Sequence, residues 1–272
     1  MFGYVPRDTP IHRLTGASKL IMTLTLSIAA MITFDTRFIL LTIIVSLTLF
    51  KISNIRLKEL KGPLILITVF FIINNVVIFL FAPEQGVLIY GTRHDLFVIN
   101  ARYTIIAEQL FYQLNVTLKY FAIVPIALIF FLTTDPSEFA SSLNAIKVNY
   151  KAAYAVSLSL RYIPDVQRSY REISQAQQAR GVDISKKAPL RKRLAGILTI
   201  LFPLVFSSMD KIEQISNAME LRGFGRLGKR TWYSARSFGV GDYIIIALGL
   251  LMIILAGITF FINGGRFYNP FI

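Results

Sequence analysis

Two short stretches carry the residues best suited to recognition chemistry. Ser174-Gln175-Ala176-Gln177-Gln178-Ala179-Arg180-Gly181 and Ser216-Asn217-Ala218-Met219-Glu220-Leu221-Arg222-Gly223 both reduce to S-x-A-x-x-x-R-G, and they lie 42 residues apart. In each, an arginine closes a helical pattern. A small residue sits one turn earlier, Ala176 or Ala218, and Ala179 or Leu221 immediately precedes the arginine. Gly181 and Gly223 can adopt the left-handed conformation that stops a helix. Each guanidinium then projects from a helix end as a charge present at any cellular pH. The chemistry on offer is the docking of a cationic plug into an acidic socket. Two copies imply two equivalent sockets. The alternative is that each arginine only neutralises its own helix C-terminus, worth about 0.3–1 kcal/mol. That role does not require alanine at a fixed offset, so the duplication favours docking.

The residues upstream continue the pattern. Val166, Tyr170, Ile173, Gln177 and Arg180 share one helical stripe, as do Ile212, Ile215, Met219 and Arg222. Each arginine therefore extends a mainly apolar stripe. Buried there without a partner it would cost several kcal/mol, so each is expected to meet a carboxylate or carbonyls.

Other chemistries are poorly represented. Cysteine is absent, which excludes disulfides, thiolate metal sites and cysteine nucleophiles. The two histidines, His12 and His94, fall on opposite sides of the membrane in the topology below, so they cannot share a metal. No carboxylate lies in the core of any predicted span, which argues against an ion relay. Asn74 and Asn75 are the main polar features at depth, read as interhelical hydrogen bonding with substrate contact as the alternative. No phosphate-cradling loop with a lysine occurs, and Gly223-Phe224-Gly225 is too sparse to be one. The chain is not expected to be an enzyme by itself, and no cofactor is expected.

The elements that must position the two arginines follow from composition. Hydrophobic residues make up 54% of the chain and charged residues 16%, which marks an all-α polytopic membrane protein. The net charge of +14 follows the positive-inside rule and does not call for nucleic acid. Apolar runs at 20–34 and 38–50 read as a tight hairpin, since each is shorter than the ~20 residues of a full span. Arg7, Arg13 and Lys19 before it, and Lys51, Arg56, Lys58 and Lys61 after it, place both flanks in the cytoplasm. Further spans are expected at 63–82, 116–132 and 240–262, with amphipathic surface pieces between 83 and 113. That gives about five transmembrane helices.

Asp135-Pro136-Ser137-Glu138 supplies an N-cap, a proline at N1 and an acid at N3, so a new helix should begin there. From 135 to 236 the chain carries 17 Lys/Arg against 8 Asp/Glu. The expected organisation is a transmembrane region over 1–134, a cytoplasmic module of long amphipathic helices over 135–236, and a last transmembrane helix within 237–272 that leaves the C-terminus outside. The basic stretch Lys186-Lys187-Ala188-Pro189-Leu190-Arg191-Lys192-Arg193 suits anionic lipid, with a protein contact as the alternative. The apolar run 196–207, broken by Pro203, is expected to be too short to span.

These residues resemble a known family, the transmembrane coupling (T) component of energy-coupling-factor (ECF) transporters, ABC-type importers of vitamins and transition metals. The opening Tyr4-Val5-Pro6-Arg7-Asp8-Thr9-Pro10-Ile11-His12-Arg13-Leu14, followed by Ser18-Lys19-Leu20, is similar to its N-terminal signature. Thr15-Gly16-Ala17 departs from it, where the family usually has Asp-Pro-Arg. Thr133-Thr134-Asp135-Pro136-Ser137-Glu138 and Arg161-Tyr162-Ile163-Pro164 also resemble family motifs. The paired Ala-Arg-Gly motifs are the strongest match, intact at 179–181 and reading Leu-Arg-Gly at 221–223. The resemblance implies that two cytoplasmic ABC-type ATPases each receive one helix end; whether they are one chain used twice or two chains stays open, the non-identity of the motifs favouring two different chains. Arg180 and Arg222 would meet acidic residues there. It also implies a separate substrate-binding (S) component in the membrane, moved by ATP-driven motion to import a vitamin or other micronutrient across a prokaryotic cell membrane. The apolar faces at 139–160 and 196–207 would be its contact surface. A conventional ABC permease would need polar residues facing a pore, in which these spans are poor. A scaffold without ATP coupling stays open, to be separated by its partners.

Overall fold

In the computed structural model of the protein, residues 7–56, 60–98, 100, 103–185, 189–226, 231–232 and 236–271 are described. Tyr4-Val5-Pro6 of the N-terminal signature, Lys58, and Lys186-Lys187-Ala188 of the basic stretch lie outside them. In chain order the elements are α1 (Pro10–Arg13), α2 (Gly16–Ile32), α3 (Thr36–Ser53), α4 (Lys61–Phe81), α5 (Gln85–Tyr90), β1 (Asp95–Val98), β2 (Thr104–Ile106), α6 (Ala107–Thr133), α7 (Pro136–Ala145), α8 (Tyr150–Ala179), α9 (Leu190–Leu221) and α10 (Val240–Ile262). The chain is all-α, with one antiparallel pair, β1–β2, and an isolated bridge between Phe34 and Phe267 among the described residues. It divides into two compact units, Met1–Asp135 with Arg236–Ile272, and Pro136–Ala235.

The first unit is a helical bundle whose start signals are local. Thr15 caps α2 by accepting from the Ser18 N–H, and Asp35 caps α3 by accepting from the Arg37 N–H. Asn54, at φ 54°, ends α3 in the left-handed conformation. The core gathers Met22, Leu26, Ala29, Phe38, Ile126 and Met252 from α2, α3, α6 and α10. α2 and α10 approach closely at Gly249, where an added Cβ would stand 2.2 Å from Thr25 Oγ1. Their starts are joined by buried Asp242. Its Oδ1 accepts from the Thr15 N–H at 2.8 Å, Thr15 Oγ1 at 2.9 Å and Ser18 Oγ at 2.5 Å, and its Oδ2 accepts from the Gly239 N–H at 2.8 Å.

At 17 residues, α2 is only ~26 Å long against a hydrocarbon core of ~30 Å. It carries no basic residue in its own last turn, and two cations from elsewhere serve its final carbonyls. Lys119 of α6 donates to Met31 O at 3.3 Å, with its ammonium 3.2 Å from the Phe34 ring centroid. Arg266 donates to Ile32 O and Met31 O, both at 3.1 Å. Asn74 and Asn75 pair α4 with α6, as an interhelical role requires: Asn75 Nδ2 donates to Thr117 Oγ1 at 3.1 Å, and Tyr120 OH to Asn74 Oδ1 at 3.4 Å.

Among the described residues five helices are long and apolar enough to cross a membrane: α3, α4, α6, α9 and α10. The number agrees with the sequence reading, but the set differs. α2 falls short in length, and α9 enters because the run 196–207 is not isolated. It continues through Pro203 into one helix of 32 residues, since a proline removes one backbone bond without ending a helix that is otherwise well formed. α6 begins at Ala107 rather than 116, and between α4 and α6 the described chain forms α5 and the β1–β2 hairpin.

The second unit contains α7, α8 and α9. α7 starts at Pro136, and Asn149 caps α8 by accepting from the Lys151 N–H. α8 and α9 run antiparallel. Lys211 of late α9 donates to Ser169 Oγ of α8 at 2.9 Å, and Gly196 of early α9 seats Val182 and Ile184, which follow α8.

Candidate functional site

Both octads end their helices with the same hydrogen bonds. At the first, the Arg180 N–H donates to Ala176 O at 3.2 Å and Gln177 O at 3.1 Å. Gly181 has φ +85°, its N–H donates to Gln178 O at 3.0 Å, and the Val182 N–H reaches back to Gln177 O at 3.1 Å. At the second, the Arg222 N–H donates to Ala218 O at 3.2 Å, Gly223 has φ +67° with its N–H on Glu220 O at 2.9 Å, and the Phe224 N–H reaches Met219 O at 2.9 Å. Each is a Schellman motif with arginine at the C-cap and glycine at C′. The arginine backbone closes the last turn onto the alanine four residues earlier, which leaves its side chain to point away from the helix.

Both arginines are exposed, as are Ala176, Ala179, Ala218 and Leu221. Leu221 is 90% exposed. Among the described residues neither guanidinium makes an ion pair. Among the described residues of this chain no carboxylate pairs with either of them, so the expected carboxylate or carbonyl partner is left to another chain for both arginines. They are not buried, and no desolvation cost forces a partner on them. After the first tip, Asp183 Oδ1 accepts from the Ser185 N–H at 2.8 Å, and that backbone bond holds its carboxyl below the usual carboxylate range.

The apolar stripes divide between two tasks. Val166, Ile212, Ile215 and Met219, with Tyr154 and Leu158, line a groove of about 340 Å³ between α8 and α9. Tyr170 is exposed instead, and Ile173 is half-buried away from the groove. A second apolar face on α9 points outward: Leu198, Phe202, Val205 and Phe206 are each more than half exposed. Because the helices run antiparallel, their arginine-tipped ends lie at opposite ends of the pair. With 30 residues in α8 at 1.5 Å each, the tips stand on the order of 40 Å apart.

Sequence reasoning missed several residues. Phe224 packs against Tyr154 at 4.8 Å and Tyr150 at 5.8 Å between ring centroids, and Tyr154 lies 6.3 Å from Trp232. Their only sequence signal was the Gly-Phe-Gly spacing, dismissed as a phosphate loop. Lys119 and Asp242, buried in or at the ends of apolar helices, were also overlooked. His12 Nδ1 pairs with Thr9 Oγ1 and His94 Nδ1 with Glu108 Oε1, both at 2.6 Å. No group of three or more potential metal ligands occurs among the described residues.

Comparison with known proteins bears on this geometry. Residues 7–233 match the family model CbiQ, described as "Cobalt transport protein". The chain is 31% identical to the energy-coupling factor transporter transmembrane protein EcfT of Exiguobacterium sibiricum, over 93% of this chain and 97% of that one. The EcfT proteins of Lactococcus lactis subsp. cremoris and Bacillus subtilis are each 28% identical, the first over 93% of this chain and 94% of the relative, the second over 96% of both.

Proposed function

The chain belongs to the family of transmembrane (T) components of energy-coupling factor transporters, and from that premise we propose that its two arginine-tipped helix ends receive the motion of two ABC-type ATPases. It is a multi-pass transporter component and not itself an enzyme. In the proposed mechanism Arg180 and Arg222 each enter an acidic socket on one ATPase. ATP binding and hydrolysis then change the distance between the sockets and so displace α8 against α9. That displacement is passed to a substrate-binding S component in the membrane, which delivers a vitamin or other micronutrient to the cytoplasm. The difference between the tips at Ala179 and Leu221 favours two different ATPase chains over one chain used twice. The outward apolar face of α9, with residues 139–160, receives the S component. The chain lies in a prokaryotic cell membrane, with residues before α1 in the cytoplasm and those after α10 outside.

The observation that carries this reading is the pair of matching Schellman ends, each with an exposed arginine, at opposite ends of antiparallel helices. Such a pair is related by an approximate two-fold axis across the helices. ATPases that associate as a dimer also present their surfaces about a two-fold axis. A charge placed in a socket is specific through geometry, and removing one partner of a buried charge pair typically costs about 2–5 kcal/mol.

The test is co-purification of tagged wild type, Arg180→Glu and Arg222→Glu from native membranes, with partners identified by mass spectrometry and ATPase activity assayed. Wild type is expected to bring down ABC ATPases, and each reversal to weaken capture or uncouple transport from hydrolysis. Absence of any ATPase with the wild type, or silence of both reversals, would reduce the arginines to helix caps.

A further inference from the structure

The two tips end alike but are fastened differently. Beyond Gly181, the first is held by Val182 and Ile184 against Gly196, whose added Cβ would stand 3.0 and 3.1 Å from their methyl groups. Beyond Gly223, the second is held by an aromatic insert. Phe224 sits between two left-handed glycines, Gly223 at φ +67° and Gly225 at φ +88°. This double reversal returns the phenyl ring toward the start of α8, where it packs on Tyr150 and Tyr154. Tyr150 is buried there at 8% exposure. Gly225 lies against the Lys151 side chain, at 3.3 Å from a Cβ built on it, so a larger residue would press on that chain. On the far side Tyr154 meets Trp232, whose Nε1 donates to Asn144 Oδ1 of α7 at 3.0 Å.

We propose that Gly223-Phe224-Gly225 is a clasp and Phe224 the positioning residue of the second coupling end, fixing Arg222 to the base of α8 while the Arg180 end is left to yield. The inference rests on the coupling role proposed above and adds to it a division of labour. Flat rings in offset and edge contact resist sliding through both shape and quadrupole, and such pairs contribute beyond their buried area. At the first tip the contacts on Gly196 are aliphatic, from Val182 and Ile184. The groove between α8 and α9 adjoins the clasp, with Phe224, Tyr154 and Met219 in its wall. It supplies the room for the helices to move about the clasped end. Pro164 and Pro203, each near the middle of its helix, remove one backbone bond apiece and supply the compliance. Motion imposed at the sockets is then taken up at Arg180, and Arg222 acts as the pivot.

Trp232 is the chain's single tryptophan, so its emission reports the clasp directly. The experiment compares wild type, Phe224→Leu, Phe224→Tyr and Val182→Ala, first as purified full-length chain by tryptophan emission and hydrogen exchange over 218–226. The same variants are then measured in the native complex for ATPase capture, hydrolysis and substrate uptake per ATP. Phe224→Leu keeps apolar volume but loses the ring. It is expected to shift Trp232 emission, speed exchange at the second tip and lower uptake per ATP severalfold, with capture of ATPase retained. Phe224→Tyr is expected to restore all three, and Val182→Ala to leave Trp232 and the second tip unchanged. Unaltered emission and exchange in Phe224→Leu would overturn the clasp. Altered emission with an unchanged uptake-to-hydrolysis ratio would make it a structural staple only and overturn the positioning role. If wild type captures no ATPase, the coupling reading falls and the pivot with it, while the emission and exchange data still decide whether the clasp exists.

Discussion

Gly181 and Gly223 are the residues on which both tips turn. Each holds a positive φ that costs a residue with a Cβ about 1–2 kcal/mol. Nothing lies within 4 Å of a Cβ added at Gly181, so Gly181→Ala isolates the conformational cost, whereas the same change at Gly223 also meets Arg226 Cδ at 3.4 Å. Both substitutions should fray the last turn and redirect the arginine. Hydrogen exchange at the amides of 180–182 and 222–224 should accelerate by about tenfold for each 1.4 kcal/mol lost. Unchanged exchange would mean that another residue fixes the tip. At this scale the sequence was most informative where the chemistry is local, since a stop at Arg-Gly needs only the six residues that form it. Phe224 was illegible because its seat on Tyr150 and Tyr154 lies some 70 residues earlier. Lys119 was illegible because the carbonyl it serves, Met31 O, belongs to another helix.

Among elements, the junction of α2 and α10 depends on a single carboxylate. Asp242 satisfies two backbone N–H groups and two hydroxyls at the starts of both helices. Asp242→Ala leaves the Thr15 and Gly239 N–H groups without that acceptor, at about 1–3 kcal/mol per group before relaxation, while the two hydroxyls turn to Thr15 O and Ser18 Oγ. A loss of about 2 kcal/mol or more is expected, read as a lower thermal midpoint in detergent. A midpoint equal to wild type would show that water or neighbouring carbonyls replace it. Apolar runs made most of the spans legible, because a membrane helix must bury its backbone bonds along an apolar length. The boundaries were less legible. The start of α6 at Ala107 is amphipathic and held by tertiary partners, and α9 was divided at Pro203 although one missing N–H does not stop it. β1–β2 escaped notice because its strands of four and three residues are too short for an alternating pattern to register.

For the whole molecule, composition alone established the class: greasy, basic and helical. Orientation rests on the distribution of Lys and Arg and can be tested directly, since the chain contains no cysteine. Single replacements at exposed positions, Ser185→Cys and Leu96→Cys, provide reporters on the two sides. A membrane-impermeant maleimide applied to intact cells is expected to label Leu96→Cys and to reach Ser185→Cys only after the membrane is opened. The reverse pattern would invert the topology. The later of the two cations that finish α2 has a further consequence for how the chain is made. Arg266 arrives more than two hundred residues after the carbonyls it serves, and Asp242 is likewise translated long after Thr15 and Ser18. A nascent chain therefore holds α2 without these late partners until α10 and the residues after it have been made.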